Sequence, residues 1–306
     1  MGWMGKMADG QLTKRTISGN SLLTYALSCA VAIVSAIASG VSFFVPSALN
    51  GLPVMMGSAR GTALVILVVA VPLLIIALVM SKHGKSNCAL VLWLSSLLFI
   101  AYNSVMFLFA IPYNSLFLAY VAMLSLSFWS ILTLLPKYKA SKFTISPPSK
   151  SLRAVSIYLF IIAIFFYFQE LGQYLPALIN NAVPSTYAGT GFLTNPSHVL
   201  DLAFILPLVV LSAVWMWRHK PRGNFVGGSI LVLLTIECAS IASDQYFGSL
   251  ADPYSNVVSM AVVPIFAVLT IIGLLFSVLY FRASLRAMKN PTNCSYDTLL
   301  QASEKL

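Results

Sequence analysis

The fold is indicated most clearly by residues 194–222, TNPSHVLDLAFILPLVVLSAVWMWRHKPR. Asn195 and Pro196 are typical of a helix start, because an Asn side chain caps free N–H groups and proline needs no donor there. The apolar run that follows has the length of about 20 residues that a bilayer requires. It ends in two tryptophans and a basic cluster, a pattern typical of the cytoplasmic membrane interface. The stretch therefore predicts a membrane-spanning helix that begins outside and ends inside.

The composition of the chain extends this prediction to the whole protein. Of 306 residues, 59% are hydrophobic and 8% are charged, and the mean hydropathy is +0.89. A soluble domain carries about 25% charged residues, so an all-α, polytopic transmembrane bundle of about eight spans is expected. The apolar segments fall at 21–45, 62–80, 88–110, 113–135, 154–175, 197–217, 225–244 and 257–281.

The placement of the basic residues predicts the orientation. Lysine and arginine cluster in both tails and in the connections after the second, fourth and sixth segments, and only Arg60 lies elsewhere. The positive-inside rule then puts both termini in the cytoplasm of a cell-membrane protein. The same clustering accounts for the net charge of +10, so the expected partner is the lipid bilayer and no nucleic acid is expected. The oligomeric state is left open.

A basic stretch at 137–153 divides the segments into two groups of four that show signs of an internal repeat. VPSALNGLP (45–53) matches LPALINNAVP (175–184), and PYNS (112–115) matches PYSN (253–256). Between these pairs, Pro72 matches Pro207 in the same order. Because each group has an even number of spans, the repeats would be parallel and related by an axis along the membrane normal. The alternative is that similar helix ends attract similar residues.

The predicted domain organisation follows from this division. It consists of a cytoplasmic tail at 1–20, a first four-helix repeat at 21–136, a basic linker at 137–153, a second repeat at 154–282 and a cytoplasmic tail at 283–306. Acidic residues enter only the spans of the second repeat, which we therefore expect to be specialised, with the first repeat as scaffold.

These acidic residues define the candidate site, because a carboxylate within a membrane span is costly and is most often functional. A rise of about 1.5 Å per residue places all of them in the outer half of the membrane. Helical spacing places Ser240 on the same helix face as Glu237 and Asp244, and it places His198 on the same face as Asp201. The predicted ligand- or proton-binding residues are Glu170, His198, Asp201, Glu237, Ser240 and Asp244.

Each of these residues also has a structural interpretation. Asp201 can be stabilised by the amino end of its helix, Asp244 can be an interfacial residue, and His198 can serve as a neutral hydrogen-bonding group. Tyr102 and Asn103 bring further polar groups to the outer side, either to the site or to helix-to-helix hydrogen bonds.

The candidate site is predicted to be a shared one. Glu170, Asp201 and Glu237 are expected to face one another or a common water-filled cavity. Arg60 is the only Lys or Arg on the outer side, so ionisation of all three carboxyl groups is unfavourable, and we expect at least one of them to be protonated at neutral pH or a cation to be bound there.

Several chemistries lack the residues they need. No lysine lies within a span for a Schiff base, and no Gly-rich phosphate loop or HExxH pattern occurs. The three histidines and four cysteines show no metal-ligand spacing, and a disulfide framework is not expected. We therefore expect no metal and no cofactor, and the sequence assigns no catalytic residue.

Three functions stay open at this point. The first is a carrier or permease for a proton-coupled or cationic small substrate, with aromatic residues Tyr167, Tyr174 and Tyr246 near its site. The second is a membrane-embedded enzyme or lipid-binding protein that uses Glu237 or Asp201 as acid or base, with Ser240 as a nucleophile. The third is a sensor of an external ligand. The apolar inner halves of the spans offer no visible path for a carrier.

Two segments carry a resemblance. NPSHVLDLAFILP (195–207) and PYNSLFLAYVAMLSLS (112–127) resemble segments of uncharacterised prokaryotic multi-pass membrane proteins. The resemblance implies that Asp201 is a motif residue, and it implies no activity.

Overall fold

The computed structural model describes residues 3–82, 86–138, 149–184, 187 and 194–289, with side chains described from 22 to 282 of these except at 86. In this part of the chain there are ten α-helices. They are α1 (Trp3–Phe44), α2 (Pro53–Val65), α3 (Val71–Lys82), α4 (Ser86–Phe109), α5 (Phe117–Leu134), α6 (Ser149–Ile179), α7 (Pro196–Leu200), α8 (Leu206–Trp217), α9 (Pro221–Ala251) and α10 (Val263–Lys289).

Eight helical stretches are long and apolar enough to cross a membrane, which confirms the predicted polytopic helical bundle. α2 and α3 form the second of them through a π-helical turn at Ile66–Ala70, and α7 and α8 form the sixth through a π-helical turn at Asp201–Ile205. The spans are Leu22–Phe44, Pro53–Lys82, Asn87–Phe109, Phe117–Lys137, Ser149–Ile179, Pro196–Trp217, Pro221–Ala251 and Met260–Arg282.

Two spans are longer than their apolar segments predict. The second begins at Pro53 rather than at 62, and the seventh continues to Ala251 rather than to 244. These extra turns are rich in small and polar residues, which lowers their hydropathy, but they pack against each other. A Cβ on Gly57 would lie 2.5 Å from the Phe247 carbonyl oxygen, so the missing side chain permits close packing of the two helices.

The predicted tails and linker differ from the structure in extent. Residues from Trp3 to 20, predicted as a tail, belong to α1 and are continuous with the first span. α6 begins at Ser149, inside the predicted linker, and residues 139–148 lie outside the described part. α10 continues to Lys289, and the remainder of the predicted C-terminal tail lies outside the described residues.

The bundle has two distinct ends. α1, α4, α6 and α9 finish at one end, which we call the cavity end, and α3, α5, α8 and α10 finish at the other, which we call the basic end. At the cavity end, Asn50 Nδ2 donates to the Tyr113 carbonyl at 2.9 Å. At the basic end, Lys137 Nζ lies 4.7 Å from the Tyr25 ring centroid and 4.9 Å from the Trp93 ring centroid.

Each half of the bundle closes on itself. In the first half, α1 packs against α2 and α5, and α4 packs against α3 and α5. In the second half, α6 packs against α8 and α10, and α9 packs against the same two helices. The halves meet where α9 contacts α2 and α4 and where α7 contacts α4. The cavity described next lies at this junction.

The two π-helical turns share one cause. The Val71 N–H donates to the Ile66 carbonyl, and the Leu206 N–H donates to the Asp201 carbonyl, five residues back in both cases. A proline follows each turn, and a proline in a helix lacks the N–H and clashes with the carbonyl four residues earlier. The wider turn makes room for that carbonyl, so both matched prolines produce the same local structure.

Candidate functional site

A cavity of about 430 Å³ lies at the cavity end between α2, α4, α6, α7 and α9. It extends to Asn256 and Ser259 in the connection that precedes α10. All six residues predicted for the site line this cavity, although they come from three different helices and one π-helical turn. They are Glu170, His198, Asp201, Glu237, Ser240 and Asp244. Their grouping is a finding of the structure, while their role in binding stays a prediction.

Glu170 and Asp201 are neighbours in the cavity, close enough for the charge of one carboxyl group to act on the other. Glu170 is only 2% exposed, and its Oε2 has no partner. Tyr102 Oη donates to Asp201 Oδ2 at 3.1 Å. Two neighbouring carboxyl groups repel each other when both are ionised, and a proton held by one of them relieves that repulsion.

α9 supplies the second wall of the site through Glu237, Ser240 and Asp244. Asn103 Nδ2 donates to Glu237 Oε2 at 3.2 Å across the junction between the halves. Gln245 Nε2 donates to Asp244 Oδ1 at 3.1 Å. The predicted polar stripe therefore faces the cavity, and each of its two carboxylates has one amide donor. Further acceptor sites on these oxygens stay available to a ligand.

His198 belongs to a separate hydrogen-bonded group at the cavity wall. Its Nδ1 lies 2.7 Å from Tyr174 Oη, which in turn contacts Tyr187 Oη. Tyr187 Oη accepts the Asn195 N–H at 3.0 Å. Asn195 also caps α7, with its Oδ1 accepting the Ser197 N–H at 3.0 Å. The predicted helix start is thus confirmed, and His198 is held by a tyrosine rather than by a carboxylate.

The position of Asp201 follows from the π-helical turn that it opens. A π-helical turn contains one residue more than an α-helical turn. This extra residue rotates the side chains of α7 about the helix axis relative to those of α8. Ser197 and Asp201 both line the cavity as a result of their spacing of four residues. Pro207 therefore takes part in placing this carboxylate, although it lies six residues away.

In the part of the chain that the structure describes, no lysine or arginine pairs with any of the four carboxyl groups. Arg60 is directed elsewhere: its Nε donates to the Phe43 carbonyl at 3.2 Å, and its guanidinium lies 5.6 Å from the Phe43 ring centroid.

A metal centre would need several of these side chains to converge on one point. Among the described residues, no three His, Cys, Asp or Glu side chains are grouped so that they could hold a metal ion. The carboxyl groups are distributed over the wall of the cavity. Of the four cysteines, Cys29 is exposed, Cys88 and Cys238 are buried, and Cys294 lies outside the described residues.

Some residues of the site were missed or misplaced by sequence reasoning. Tyr187 lies in a connection of mixed composition, where no pattern distinguishes it. Tyr167 and Tyr246, expected near the site, are not among the residues that line the cavity. Tyr102 and Asn103 prove to be both helix-to-helix contacts and donors to the site, so the first half contributes more than a scaffold.

Comparisons of the chain with protein-family models, with curated proteins and with solved structures found no match. The resemblance of residues 112–127 and 195–207 to other multi-pass proteins therefore stays an expectation. The fold and the site define an integral, multi-pass helical membrane protein with a carboxyl-lined cavity near one end of its bundle. The chemistry of that cavity is the basis for a functional proposal.

Proposed function

We propose that this protein is a carrier for a small organic cation, or for a proton-coupled substrate of that kind. The observation that carries the proposal is the cavity of about 430 Å³ with four carboxyl groups and no lysine or arginine pairing among the described residues. Buried carboxylates without a partner are costly in a membrane. A bound cation or proton would lower that cost, so the cavity favours positively charged ligands.

The Glu170–Asp201 contact suits a carrier that exchanges a cation for a proton. While the two carboxyl groups share one proton, the pair carries one negative charge. A cation that enters between them can replace the shared proton and leave both groups ionised. The pair thus offers one site to two alternative positive ligands, which is the requirement for coupling the movement of one to that of the other.

Buried side chains, apolar ones together with several serines, fill the interior between the cavity and the basic end. Leu97, Leu159 and Leu234 are buried in the interior toward that end. A carrier would have to open this layer and close the cavity end, and the two π-helical turns lie in spans that connect both ends. We propose them as hinges, since a break in regular helix bonding concentrates bending.

We also propose that the two halves are an internal repeat. The matched π-helical turns at Ile66–Ala70 and Asp201–Ile205 support it. The packing supports it as well. In the proposed repeat α2 corresponds to α7 and α4 corresponds to α9, and both the contact between α2 and α9 and the equivalent contact between α7 and α4 are present. A rotation of roughly 180° about the membrane normal should superpose the halves; a best superposition about an axis in the membrane plane would contradict the proposal.

The transport proposal is tested by uptake into proteoliposomes. Permanently charged, membrane-impermeant organic amines should accumulate when a pH gradient is imposed. Glu237→Gln, which removes one carboxylate and keeps the shape of the side chain, should abolish uptake. Asp252→Asn is the matched control, because Asp252 does not line the cavity. Uptake equal to that of protein-free liposomes, or full uptake by Glu237→Gln, would contradict the proposal.

The proposed orientation, with the cavity end outside and both termini in the cytoplasm, has its own test. Single cysteines at Asn181 or Ala251, in a variant without the native cysteines, should react with an impermeant reagent added to intact cells. A cysteine at Ser141, which lies outside the described residues, should react only after the membrane is opened. Reaction of Ser141 from outside would reverse the orientation.

A further inference from the structure

A second cavity lies beside the carboxyl-lined one and differs from it in chemistry. This cavity, which we call the lateral groove, has a volume of about 490 Å³ and lies between the end of α6 and the α7 region. Its described lining is largely apolar: Ala177 and Leu178 come from α6, and Val199, Leu202 and Ala203 come from α7 and its π-helical turn. None of the four acidic residues of the first cavity lines it.

The lateral groove carries exposed apolar side chains near the cavity end of two spans. Leu178 is 75% exposed and Val199 is 52% exposed, and both lie within membrane-spanning stretches. Apolar side chains exposed on a membrane span contact lipid chains. The groove therefore lies where the hydrocarbon chain of a molecule in the membrane can reach it.

The two cavities meet at one wall. Tyr187 and His198 line both of them, and Tyr174, which contacts both residues, lines the lateral groove. The α7 region presents different faces to the two spaces: Ser197 and Asp201 to the carboxyl-lined cavity, and the neighbouring apolar residues to the lateral groove.

We infer that the protein binds a single-chain amphiphile, with a cationic amine head in the carboxyl-lined cavity and its hydrocarbon chain in the lateral groove. The inference rests on the proposed function, and it adds the class of substrate. The carboxyl groups supply the charge complement of the amine. The apolar groove accepts a chain that reaches it from the bilayer. The molecule would enter sideways between α6 and α7, past the wall formed by Tyr174, Tyr187 and His198.

This arrangement explains why a polar hydrogen-bonded group stands between two cavities. A chain that runs from Asp201 to the lateral groove must pass His198, which lies on the boundary of both spaces. Tyrosine and histidine have an apolar body and a polar edge, so they can border both an amine and a hydrocarbon chain. The Tyr174–His198 hydrogen bond is placed to open when the chain passes and to close behind the head group.

The test is photolabelling in lipid nanodiscs. The probe is a primary amine on a dodecyl chain with a diazirine near its methyl end, and labelled peptides are mapped by mass spectrometry. In the wild-type protein the label should concentrate at residues 177–178 and 199–203. Ala177→Trp, which fills the lateral groove, should reduce that label to the level of other lipid-facing positions. Gly172→Trp is the matched control on α6, because nothing lies within 4 Å of a Cβ at Gly172, and it should keep the wild-type pattern.

Two further arms separate this inference from the proposed function. A carboxylic acid probe with the same chain should not label the groove, and Glu237→Gln should weaken labelling by the amine. Label spread evenly over the spans, or unchanged by Ala177→Trp, overturns the inference, and uptake of short amines would then show that the proposed function stands alone. If the amine and acid probes label the lateral groove equally, and Glu237→Gln does not change labelling by the amine, the placement of the head group in the carboxyl-lined cavity is overturned. Binding of butylamine by Ala177→Trp, at wild-type strength, shows that this variant is folded.

Discussion

At the scale of single residues, the contact between Glu170 and Asp201 most limits what the cavity can bind. Glu170 lies on α6 and is only 2% exposed, and Asp201 opens the π-helical turn before α8. Pairs of carboxyl groups that share a proton behave as one titrating unit. We therefore expect the pair to hold a proton as long as no cation is bound.

The first prediction is that this shared proton can be observed directly. Infrared spectra of the wild-type protein should contain the C=O stretching band of a protonated carboxyl group, and the band should shift in heavy water. Glu170→Gln should remove it, because an amide can donate to an ionised Asp201 without an extra proton. Glu237→Gln serves as the comparison, since Glu237 accepts from Asn103 instead. A band that survives in Glu170→Gln and disappears in Glu237→Gln would contradict the assignment of the proton to the Glu170–Asp201 pair.

Some site residues could be predicted from the sequence for a physical reason. An acidic residue in an apolar segment must find a polar environment, so the positions of Glu170, Asp201 and Glu237 along the chain already point to a common interior space. Tyr187 could not be found in this way. It lies in a connection, where polar residues are ordinary, and only the folded chain brings it to Tyr174 and Asn195.

At the scale of elements, the packing of α2 on α9 positions the acidic stripe. Gly57 and Gly61 lie four residues apart and face the α9 backbone, and a Cβ on Gly61 would lie 2.4 Å from the Ser243 carbonyl oxygen. Ser243 Oγ also donates to the Gly61 carbonyl at 2.8 Å. Close approach of this kind is typical of small residues in membrane helix pairs.

The second prediction concerns this contact. Gly61→Ala should destabilise the protein, by about 1–3 kcal/mol, because a methyl group in a filled space forces the helices apart. Gly172→Ala is the matched control in α6, where a Cβ meets nothing within 4 Å; it should be neutral or stabilising by up to about 1 kcal/mol, since alanine favours the helix. Thermal unfolding of both variants in the same detergent decides the outcome, and equal melting temperatures would contradict the packing account.

The third prediction concerns the two π-helical turns. Pro207→Ala restores an N–H that can bond the Ala203 carbonyl, so the turn at Asp201–Ile205 is expected to become α-helical and to rotate Asp201 away from Glu170. Binding of amines should weaken while the protein stays folded. Pro72→Ala makes the same change in the first half, where the turn contains no carboxylate, and should leave binding unchanged. Equal effects of the two substitutions would show that the turn does not place the carboxylate.

The observed bounds of the helices show which structural features the apolar segments of the sequence do not predict. Apolar runs predict the eight spans because the membrane selects them for hydropathy. They do not predict the helical turns before residue 62 and after 244, which form because glycines allow two helices to pack beyond the apolar run. The π-helical turns also escape prediction, since a proline within a span can kink or widen a helix in several ways.

At the scale of the whole molecule, the cavity belongs to the junction between the halves. The second half supplies all four acidic residues that line the cavity. The first half supplies Tyr102 and Asn103 as donors to Asp201 and Glu237. A relative movement of the halves would therefore change the hydrogen bonds of two carboxylates at once. The proposed opening of the bundle would therefore be coupled to the protonation of the carboxyl groups in its cavity.

The fourth prediction is that binding of a cation expels the shared proton from the site. The most direct measurement is calorimetric titration of a small primary amine into the protein in nanodiscs, in two buffers with different ionisation enthalpies. The wild-type protein and the Asp252→Asn control should bind the amine and release about one proton for each molecule bound. Glu170→Gln should bind more weakly and release none. Absence of binding, or binding with the same affinity and proton release in Glu170→Gln, would contradict the account of the carboxyl-lined cavity as a site for exchange between a cation and a proton.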